Sequence, residues 1–153
     1  MGATRPENFL VSIISKGRPG NVPEIHSLFK TTGIKPTWIV GPGETKSYKS
    51  KGAKHVVEGG GLCASRNKAI ELAKGAGKIC LQMSDDICNI KILHQEEDWE
   101  RPPDLTASNE LTKTVPTFIV SPVTAARYIH MQMKEVGALL GGVYVTANEG
   151  QAM

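Results

Sequence analysis

The stretch Phe9-Leu-Val-Ser-Ile-Ile14, followed at once by Ser15-Lys-Gly-Arg-Pro-Gly20, decides the predicted fold. Six almost entirely apolar residues that stop at a cluster of turn residues are typical of a buried β-strand. The pattern recurs three times along the chain. Predicted strands cover Thr37–Val40, His55–Val57 and Lys78–Met83, and they end at Gly41-Pro-Gly43, Gly59-Gly-Gly61 and Ser84-Asp-Asp86.

Helix signals lie between the predicted strands. Asn21 with Glu24 three residues later predicts a helix near 22–31, with Gly33 after its end. Ser65 is a candidate N-cap for a helix that runs to about Lys74. Strands that alternate with helices predict an α/β fold of three layers, in which helices cover both faces of a mostly parallel, Rossmann-like sheet.

The second half of the chain has fewer signals. Residues 94–114 are polar and without a clear period, so we predict a loop there. A strand over Thr117–Val120 precedes a helix with Ser121 as N-cap and Pro122 in its first turn, which stops at Gly137. Residues 141–146 are predicted to form a final strand.

Length and composition predict one soluble domain. The 153 residues are 40% hydrophobic and 22% charged, which excludes disorder of the whole chain. We assign residues 9–148 to the domain, 1–8 to a flexible N-terminus and 149–153 to a tail. The apolar runs are far shorter than the roughly 20 residues of a membrane span. Three cysteines without metal or redox spacing, in a chain without a secretory signal, favour a cytoplasmic location.

The predicted strand ends point to a ligand. In open α/β sheets, ligands bind outside the carboxyl ends of the strands. Three of the ends offer glycines with accessible backbone N–H groups, and the fourth offers the carboxylates of Asp85 and Asp86. This combination suits a nucleotide diphosphate with a divalent cation. The alternative is that the Asp85–Asp86 pair only caps a short helix over 86–93.

Two other motifs have both a functional and a structural interpretation. Gly61 precedes Ser65-Arg-Asn67, and a helix N-terminus after glycines favours anions, with Arg66 as a forked donor. Alternatively, Ser65 only caps the helix and Arg66 pairs with an aspartate. Lys16-Gly-Arg-Pro19 could bind phosphate through its lysine, although its spacing is not that of a P-loop and a plain turn is the alternative.

Taken together, these motifs have a recognisable order along the chain. They are Ser15-Lys-Gly-Arg-Pro19, Trp38-Ile-Val-Gly-Pro-Gly-Glu44 with Tyr48, Val56-Val-Glu-Gly-Gly-Gly-Leu62, Ser65-Arg-Asn-Lys-Ala-Ile70 and Ser84-Asp-Asp-Ile87. The series resembles the nucleotide-sugar-binding half of a GT-A-fold glycosyltransferase, nearest to the TET-associated type of viruses and phages. The resemblance covers most of residues 9–148. Its most specific parts are Ser65–Ala69 and Met83–Ile87.

The resemblance implies roles for individual residues. Ser15, Lys16 and Arg18 would contact the nucleoside, while Arg66 and Asn67 would hold the base or the diphosphate. Asp86, with Asp85, would bind Mn²⁺ or Mg²⁺ against the diphosphate of a UDP-type donor. The nucleotide-binding residues expected in all are Ser15, Lys16, Arg18, Gly61, Ser65, Arg66, Asn67, Ser84 and Asp85. Ser84 stands where the family has the first aspartate of its metal-binding triplet.

The expected activity is therefore metal-dependent transfer of a sugar to an acceptor hydroxyl. By resemblance, the acceptor could be a modified DNA base. No residue has a motif that marks it as the catalytic base, and Asp104 and Glu149 are candidates. Family members are longer, so the chain is either active alone, a fragment, or completed by another chain. The alternative function is a nucleotide-sugar-binding module without turnover. A nucleotidyltransferase and a purely structural domain are the remaining hypotheses.

Overall fold

The computed structural model describes residues 5–93 and 117–143. The elements follow one another as strand and helix through the first part of the chain. Four helices are α1 (Val22–Leu28), α2 (Thr45–Ser50), α3 (Leu62–Gly75) and α4 (Pro122–Val136). Six strands are β1 (Phe9–Ile14), β2 (Thr37–Val40), β3 (His55–Glu58), β4 (Ile79–Ser84), β5 (Ile90–Leu93) and β6 (Thr117–Val120). Short 3₁₀ turns cover Pro6–Asn8 and Pro19–Asn21.

The first four strands form one parallel sheet in the order β3-β2-β1-β4. In register, Ile13 lies between Trp38 of β2 and Met83 of β4. The strands β5 and β6 form a separate antiparallel pair. The structure confirms the predicted α/β class with a parallel, Rossmann-like sheet. None of the helices described is long and apolar enough to cross a membrane.

The two faces of the sheet carry different cores. On one face, Phe9, Val11 and Ile13 of β1 pack in a cluster with residues of α1, α2 and α4. Strand side chains alternate between faces, so Leu10, Ser12 and Ile14 lie on the other face, where α3 covers β1, β2 and β4. The chain moves along the sheet in opposite directions before and after β3. Because crossovers between parallel strands are right-handed, that reversal places α3 opposite α1 and α2.

The aromatic part of the core ends in a histidine. Trp38 is fully buried, and its Nε1 donates a hydrogen bond to Nε2 of His26 over 3.2 Å. Burial lowers the pKa of His26, which therefore stays neutral and able to accept this bond at neutral pH. The Trp38 ring also lies 5.5 Å from the Tyr48 ring, centroid to centroid. This packing holds Tyr48 against the carboxyl end of β1.

One predicted helix start needs correction. The helix α3 begins at Leu62 with Gly61 as N-cap, four residues before the predicted cap at Ser65. Gly61 has the extended backbone of a cap, whereas Ser65 lies inside the helix and is buried. The helix α1 begins at Val22 with Asn21 as N-cap, as predicted, but it ends at Leu28 and not near residue 31. The Asn21 side chain makes no cap bond, and its Nδ2 donates to the backbone oxygen of Asp85. Prediction is confirmed at α4, where the Ser121 hydroxyl accepts from the Thr124 N–H and Gly137 has a φ of 71°.

Other elements depart from the sequence pattern. The helix α2 and the strand β5 were not predicted, and β5 overturns the alternative of a helix over 86–93. The predicted final strand is absent over 141–143, and its residues 144–146 lie outside the described part of the chain. The loop predicted over 94–114 also lies outside it, as do the candidate bases Asp104 and Glu149.

Candidate functional site

The strand order places a crevice between β1 and β4. The chain turns to one side of β1 to form β2 and β3, and it crosses to the other side to form β4. Such a point, where the strand order reverses, is where open α/β sheets bind ligands at their carboxyl edge. Residues 15–18 follow β1 there, and Asp85 and Asp86 follow β4. The sequence-predicted residues Ser15, Lys16, Arg18, Asp85 and Asp86 therefore flank one crevice.

A directed chain of hydrogen bonds ties the two strand ends together. The Ser15 hydroxyl donates to Oδ2 of Asp85, which as a carboxylate can only accept. Since Ser15 has a single hydroxyl hydrogen, the Tyr48 hydroxyl is the donor in its 2.5 Å contact with Ser15. The Tyr48 oxygen in turn accepts from the backbone N–H of Arg18 over 3.1 Å. Each polar group of this hydrogen-bond chain has a partner, which buried polar groups require.

Arg18 closes the network from the solvent side. Its Nη2 donates to Oδ1 of Asp85, and its Nη1 lies 3.4 Å from Oδ2 of Asp86. The Asp85 side chain is fully buried, while that of Arg18 is half exposed. Both carboxylate oxygens of Asp85 are thus occupied by protein donors, so its role is to position Arg18.

Asp86 is the carboxylate that this edge presents to solvent. Its side chain is 56% exposed. A hydrogen bond from the Ser84 side chain is the main cause that lowers the pKa of Asp86, and the charge of Arg18 adds to it. A lowered pKa means that Asp86 is ionised at neutral pH and loses its charge only in acid. The Ser84 side chain therefore helps to keep Asp86 ionised.

The glycine turns after β1 and β2 are closed by carboxylates of the protein itself. Glu44 accepts from the N–H groups of Gly17 and Gly41, over 2.9 and 3.0 Å. Glu58 accepts from the N–H of Gly43 over 2.9 Å. These amides are not available to a phosphate. Of the three glycine turns predicted to bind anions, two are filled by acidic side chains.

The turn at residues 59–61 differs from the other two. Gly61 caps the 14-residue helix α3 without any side-chain hydrogen bond. The first N–H groups of a helix have no intrahelical partner, and together with the helix dipole they favour an anion. Gly60 has a φ of 102°, which favours glycine there. Among the three glycine turns, this one keeps the backbone donors that the sequence analysis predicted.

The other predicted nucleotide contacts are less well placed. Ser65 is buried in α3 beneath this turn. Arg66 is exposed, and its Nη1 donates to Oε1 of Gln82 in β4 over 3.3 Å, so its partner is not an aspartate. Asn67 and Lys16 are exposed, and within residues 5–93 and 117–143 no hydrogen bond holds either side chain in a fixed place. The structure brings together the residues that follow β1 and β4. Arg66 and Asn67 lie on α3, which covers the face of the sheet opposite to α1 and α2.

Three residues of the site were missed as functional residues in the sequence. Glu44 and Glu58 close the glycine turns, and Tyr48 links Ser15 to Arg18. Tyr48 is the one large apolar side chain in Thr45–Ser50, where it could have indicated the buried face of a short helix. The contacts of the two glutamates leave no such local signal.

The donor set fits a divalent cation less well than expected. Within residues 5–93 and 117–143, no group of three His, Cys, Asp or Glu side chains could hold a metal ion. Mg²⁺ is often held by one or two carboxylates plus phosphates of the substrate. Here Asp85 is buried with both oxygens hydrogen-bonded to the protein, and Asp86 is paired with Arg18. These contacts fit a cation poorly, and the predicted metal site at Asp85 and Asp86 stays a prediction.

Replacing Tyr48 by phenylalanine tests the hydrogen-bond chain. The variant keeps the buried ring and removes the hydroxyl that donates to Ser15 and accepts from Arg18. Leaving buried partners unsatisfied costs about 1–3 kcal/mol. We expect a loss of that size in urea unfolding at an unchanged m-value. Tyr128→Phe, which changes a half-exposed tyrosine, is the matched control and is expected to change stability little. Equal stability of both variants would contradict the network.

Comparison with family models, with curated proteins and with solved structures gave no match to this chain. The assignment of a function therefore rests on the geometry of the carboxyl edge.

Proposed function

We propose that the chain binds a nucleotide sugar at the carboxyl edge of its sheet and transfers the sugar to an acceptor hydroxyl. The observation that carries this proposal is the position of Arg18, which spans the crevice between β1 and β4 with its side chain half exposed. Arginine is suited to phosphate because its planar N–H groups match phosphate oxygens in pairs. The resemblance of the motifs to GT-A-fold glycosyltransferases supports a UDP-type donor.

The proposed reaction needs stabilisation of a departing diphosphate. An acceptor hydroxyl attacks the anomeric carbon, the bond from that carbon to the diphosphate oxygen breaks, and the hydroxyl proton passes to the departing diphosphate or to solvent. Arg18 and Lys16 would neutralise the charge that develops on the diphosphate, and the uncapped N-terminus of α3 adds backbone donors. A divalent cation, where bound, supplies further positive charge to the same leaving group. The carboxylates fit a cation poorly, and the binding of Mn²⁺ or Mg²⁺ stays a prediction.

A binding module without turnover is the second candidate. One observation favours it: in the described part of the chain, Glu44, Glu58 and Asp85 at this edge each accept hydrogen bonds from the protein, and Asp86 is paired with Arg18. These contacts give all four carboxylates a structural partner, and none of them is marked as the base that an acceptor hydroxyl needs. A modified DNA base as acceptor stays a prediction from the resemblance.

The two candidates give different results in one pair of experiments. Calorimetric titration with UDP tests the donor site that both share. Incubation with a panel of UDP-sugars, followed by measurement of released UDP and of sugar on an added acceptor, then separates them. Transfer supports the enzyme, and binding without release or transfer supports the module. An absence of UDP binding, with and without Mn²⁺, would refute both.

Substitution of Gly61 by aspartate tests whether the N-terminus of α3 contributes to UDP binding. An ideal Cβ at Gly61 meets no atom within 4 Å, and its backbone already has the cap conformation. Aspartate caps helices at least as well as glycine does, with a difference of a few tenths of a kcal/mol, so we expect unchanged or slightly higher stability. UDP affinity should fall about tenfold or more, because a carboxylate would occupy the free N–H groups and repel the diphosphate.

The control for this substitution separates charge from shape. Gly61→Asn caps the helix with a neutral side chain of nearly the same size. We expect its UDP affinity to lie between those of the unchanged chain and Gly61→Asp. If all three proteins bind UDP equally, the N-terminus of α3 does not contact the diphosphate, although Arg18 still could.

A further inference from the structure

We infer that Arg18 takes the place of a divalent cation at this site, so that the diphosphate of the donor is bound without metal. This inference rests on the proposed function and adds to it how the charge of the ligand is neutralised. Three observations carry it: the fixed position of Arg18, the occupation of both aspartates, and the unused donors of the guanidinium.

The position of Arg18 is set at both ends of the residue. Its backbone N–H donates to the hydroxyl of Tyr48, which is itself fully buried. Its Nη2 donates to the buried Asp85, whose other oxygen is held by Ser15. A long side chain that is fixed in this way has lost its rotamer freedom before a ligand arrives. Binding an anion then costs less conformational entropy than it would at a free surface arginine.

The aspartates are arranged as partners of an arginine. The Asp85 side chain is fully buried and each of its oxygens accepts a hydrogen bond from the protein, so it presents no oxygen to an ion that arrives from solvent. The carboxylate of Asp86 is compensated by Nη1 of Arg18 at 3.4 Å. A cation at Asp86 would have to lie beside a guanidinium, and like charges at that distance repel. Asp85 and Asp86 therefore orient Arg18, and no free pair of carboxylates is left for a cation.

The guanidinium still has donors to offer. Arginine carries five N–H groups, and the two contacts to Asp85 and Asp86 use only part of them. Within the described residues no other acceptor is bonded to Arg18, and half of its side chain faces solvent. A diphosphate that meets these N–H groups gains charge-assisted hydrogen bonds at the crevice between β1 and β4. Lys16, exposed two residues earlier, adds a second positive charge.

The test compares UDP binding in EDTA with UDP binding in excess Mn²⁺, by calorimetry on the full chain. We expect dissociation constants that agree within about threefold, which is less than the factor of ten that 1.4 kcal/mol produces. If Mn²⁺ lowered the dissociation constant of UDP about tenfold or more, this inference would be overturned and the proposed function would stand. No binding in either buffer would overturn both.

A variant of Asp86 separates an arginine partner from a metal ligand. Asp86→Asn removes the exposed carboxylate and should leave UDP affinity equal or higher, because one negative charge near the diphosphate is lost. A metal site would instead lose its ligand, and an affinity that falls about tenfold in Asp86→Asn would count against the inference.

Arg18 itself is tested in a form that can still fold. Arg18→Gln alone leaves Asp85 buried without its cation, so the double variant Arg18→Gln with Asp85→Asn is the second protein to measure. In the double variant the buried partner is neutral and can still accept from Ser15. We expect UDP affinity to fall about tenfold or more in both, since a charge-assisted pair of hydrogen bonds is lost. Lys91→Gln, on β5, is the charge-matched control. Unchanged affinity in a folded double variant would refute the role of Arg18.

Discussion

Asp85→Ala is expected to be among the most destabilising substitutions at the edge of the sheet. The change removes the acceptor of the Ser15 hydroxyl and of Nη2 of Arg18 in a place where Asp85 is only 2% exposed. Removing one partner of a buried ion pair costs about 3–5 kcal/mol, and the half exposure of Arg18 favours the lower limit. At about 2–4 °C per kcal/mol for a chain of this size, the melting temperature should fall by roughly 10 °C.

The neighbouring aspartate provides the control. Asp86 is one residue away and carries the same charge, but its side chain is 56% exposed. Its ion pair with Arg18 lies at the surface, where such pairs contribute about 0–1 kcal/mol. Asp86→Ala should therefore unfold within about 0.5 kcal/mol of the unchanged chain. Equal losses for the two alanine variants would show that Asp85 is not the buried centre of the network. Thermal and urea unfolding, followed by circular dichroism, measure both.

The contrast between Asp85 and Asp86 also shows where sequence reasoning reached its limit. Two adjacent carboxylates after an apolar strand correctly indicated a polar site at a strand end. The two residues lie in the turn after β4, however, where the Asp85 side chain is buried and that of Asp86 is exposed. The partner that each carboxylate contacts depends on residues 67–70 positions away in the chain, namely Ser15 and Arg18. No local pattern encodes that difference.

The strands β1–β4 and β6, and the helix α4, could be predicted because their signals are local. Apolar runs bounded by glycine, and an N-cap serine followed by proline, act over a few residues. The helix α2 was missed because Thr45–Ser50 is short, polar and rich in lysine, with Tyr48 as its one buried side chain. The start of α3 was misplaced because serine is the more common cap. Here Gly61 takes that position and Ser65 is used for packing.

The glycine turns show a second limit. Glycine after a strand predicts accessible N–H groups, and this holds for Gly60 and Gly61 but not for Gly59, whose N–H is bonded to Val40. At Gly17 and Gly41, the carboxylate of Glu44 takes both groups. A glutamate 27 residues away from Gly17 gives no sign of this in the sequence. An anion-binding turn and a turn that is already filled by an acidic side chain therefore look alike before the fold is known.

Gly59→Ala is expected to disturb both the fold and the site. An ideal Cβ at Gly59 would lie 2.4 Å from Oγ of Ser65 and 2.5 Å from Cγ2 of Ile39. The backbone cannot yield easily, because the Gly59 N–H is bonded to the oxygen of Val40 over 2.9 Å. Overpacking of a well-packed site costs about 1–3 kcal/mol, and two contacts this short favour the upper limit. The start of α3 has to move away from β2, so UDP affinity should fall as well.

Two further variants make the Gly59 prediction specific. Gly61→Ala adds the same methyl group two residues later, where nothing lies within 4 Å, so it should lose only the roughly 0.5–1 kcal/mol by which alanine is a poorer N-cap than glycine. Ser65→Ala in the Gly59→Ala background removes the hydroxyl that lies nearest to the added Cβ, so it should recover part of the lost stability. Recovery stays partial because Ile39 and the Cβ of residue 65 remain within 3 Å. If Gly59→Ala unfolds at the same urea concentration as Gly61→Ala, then α3 does not pack directly against this turn. The backbone donors at its N-terminus would then have no fixed position from which to bind a diphosphate.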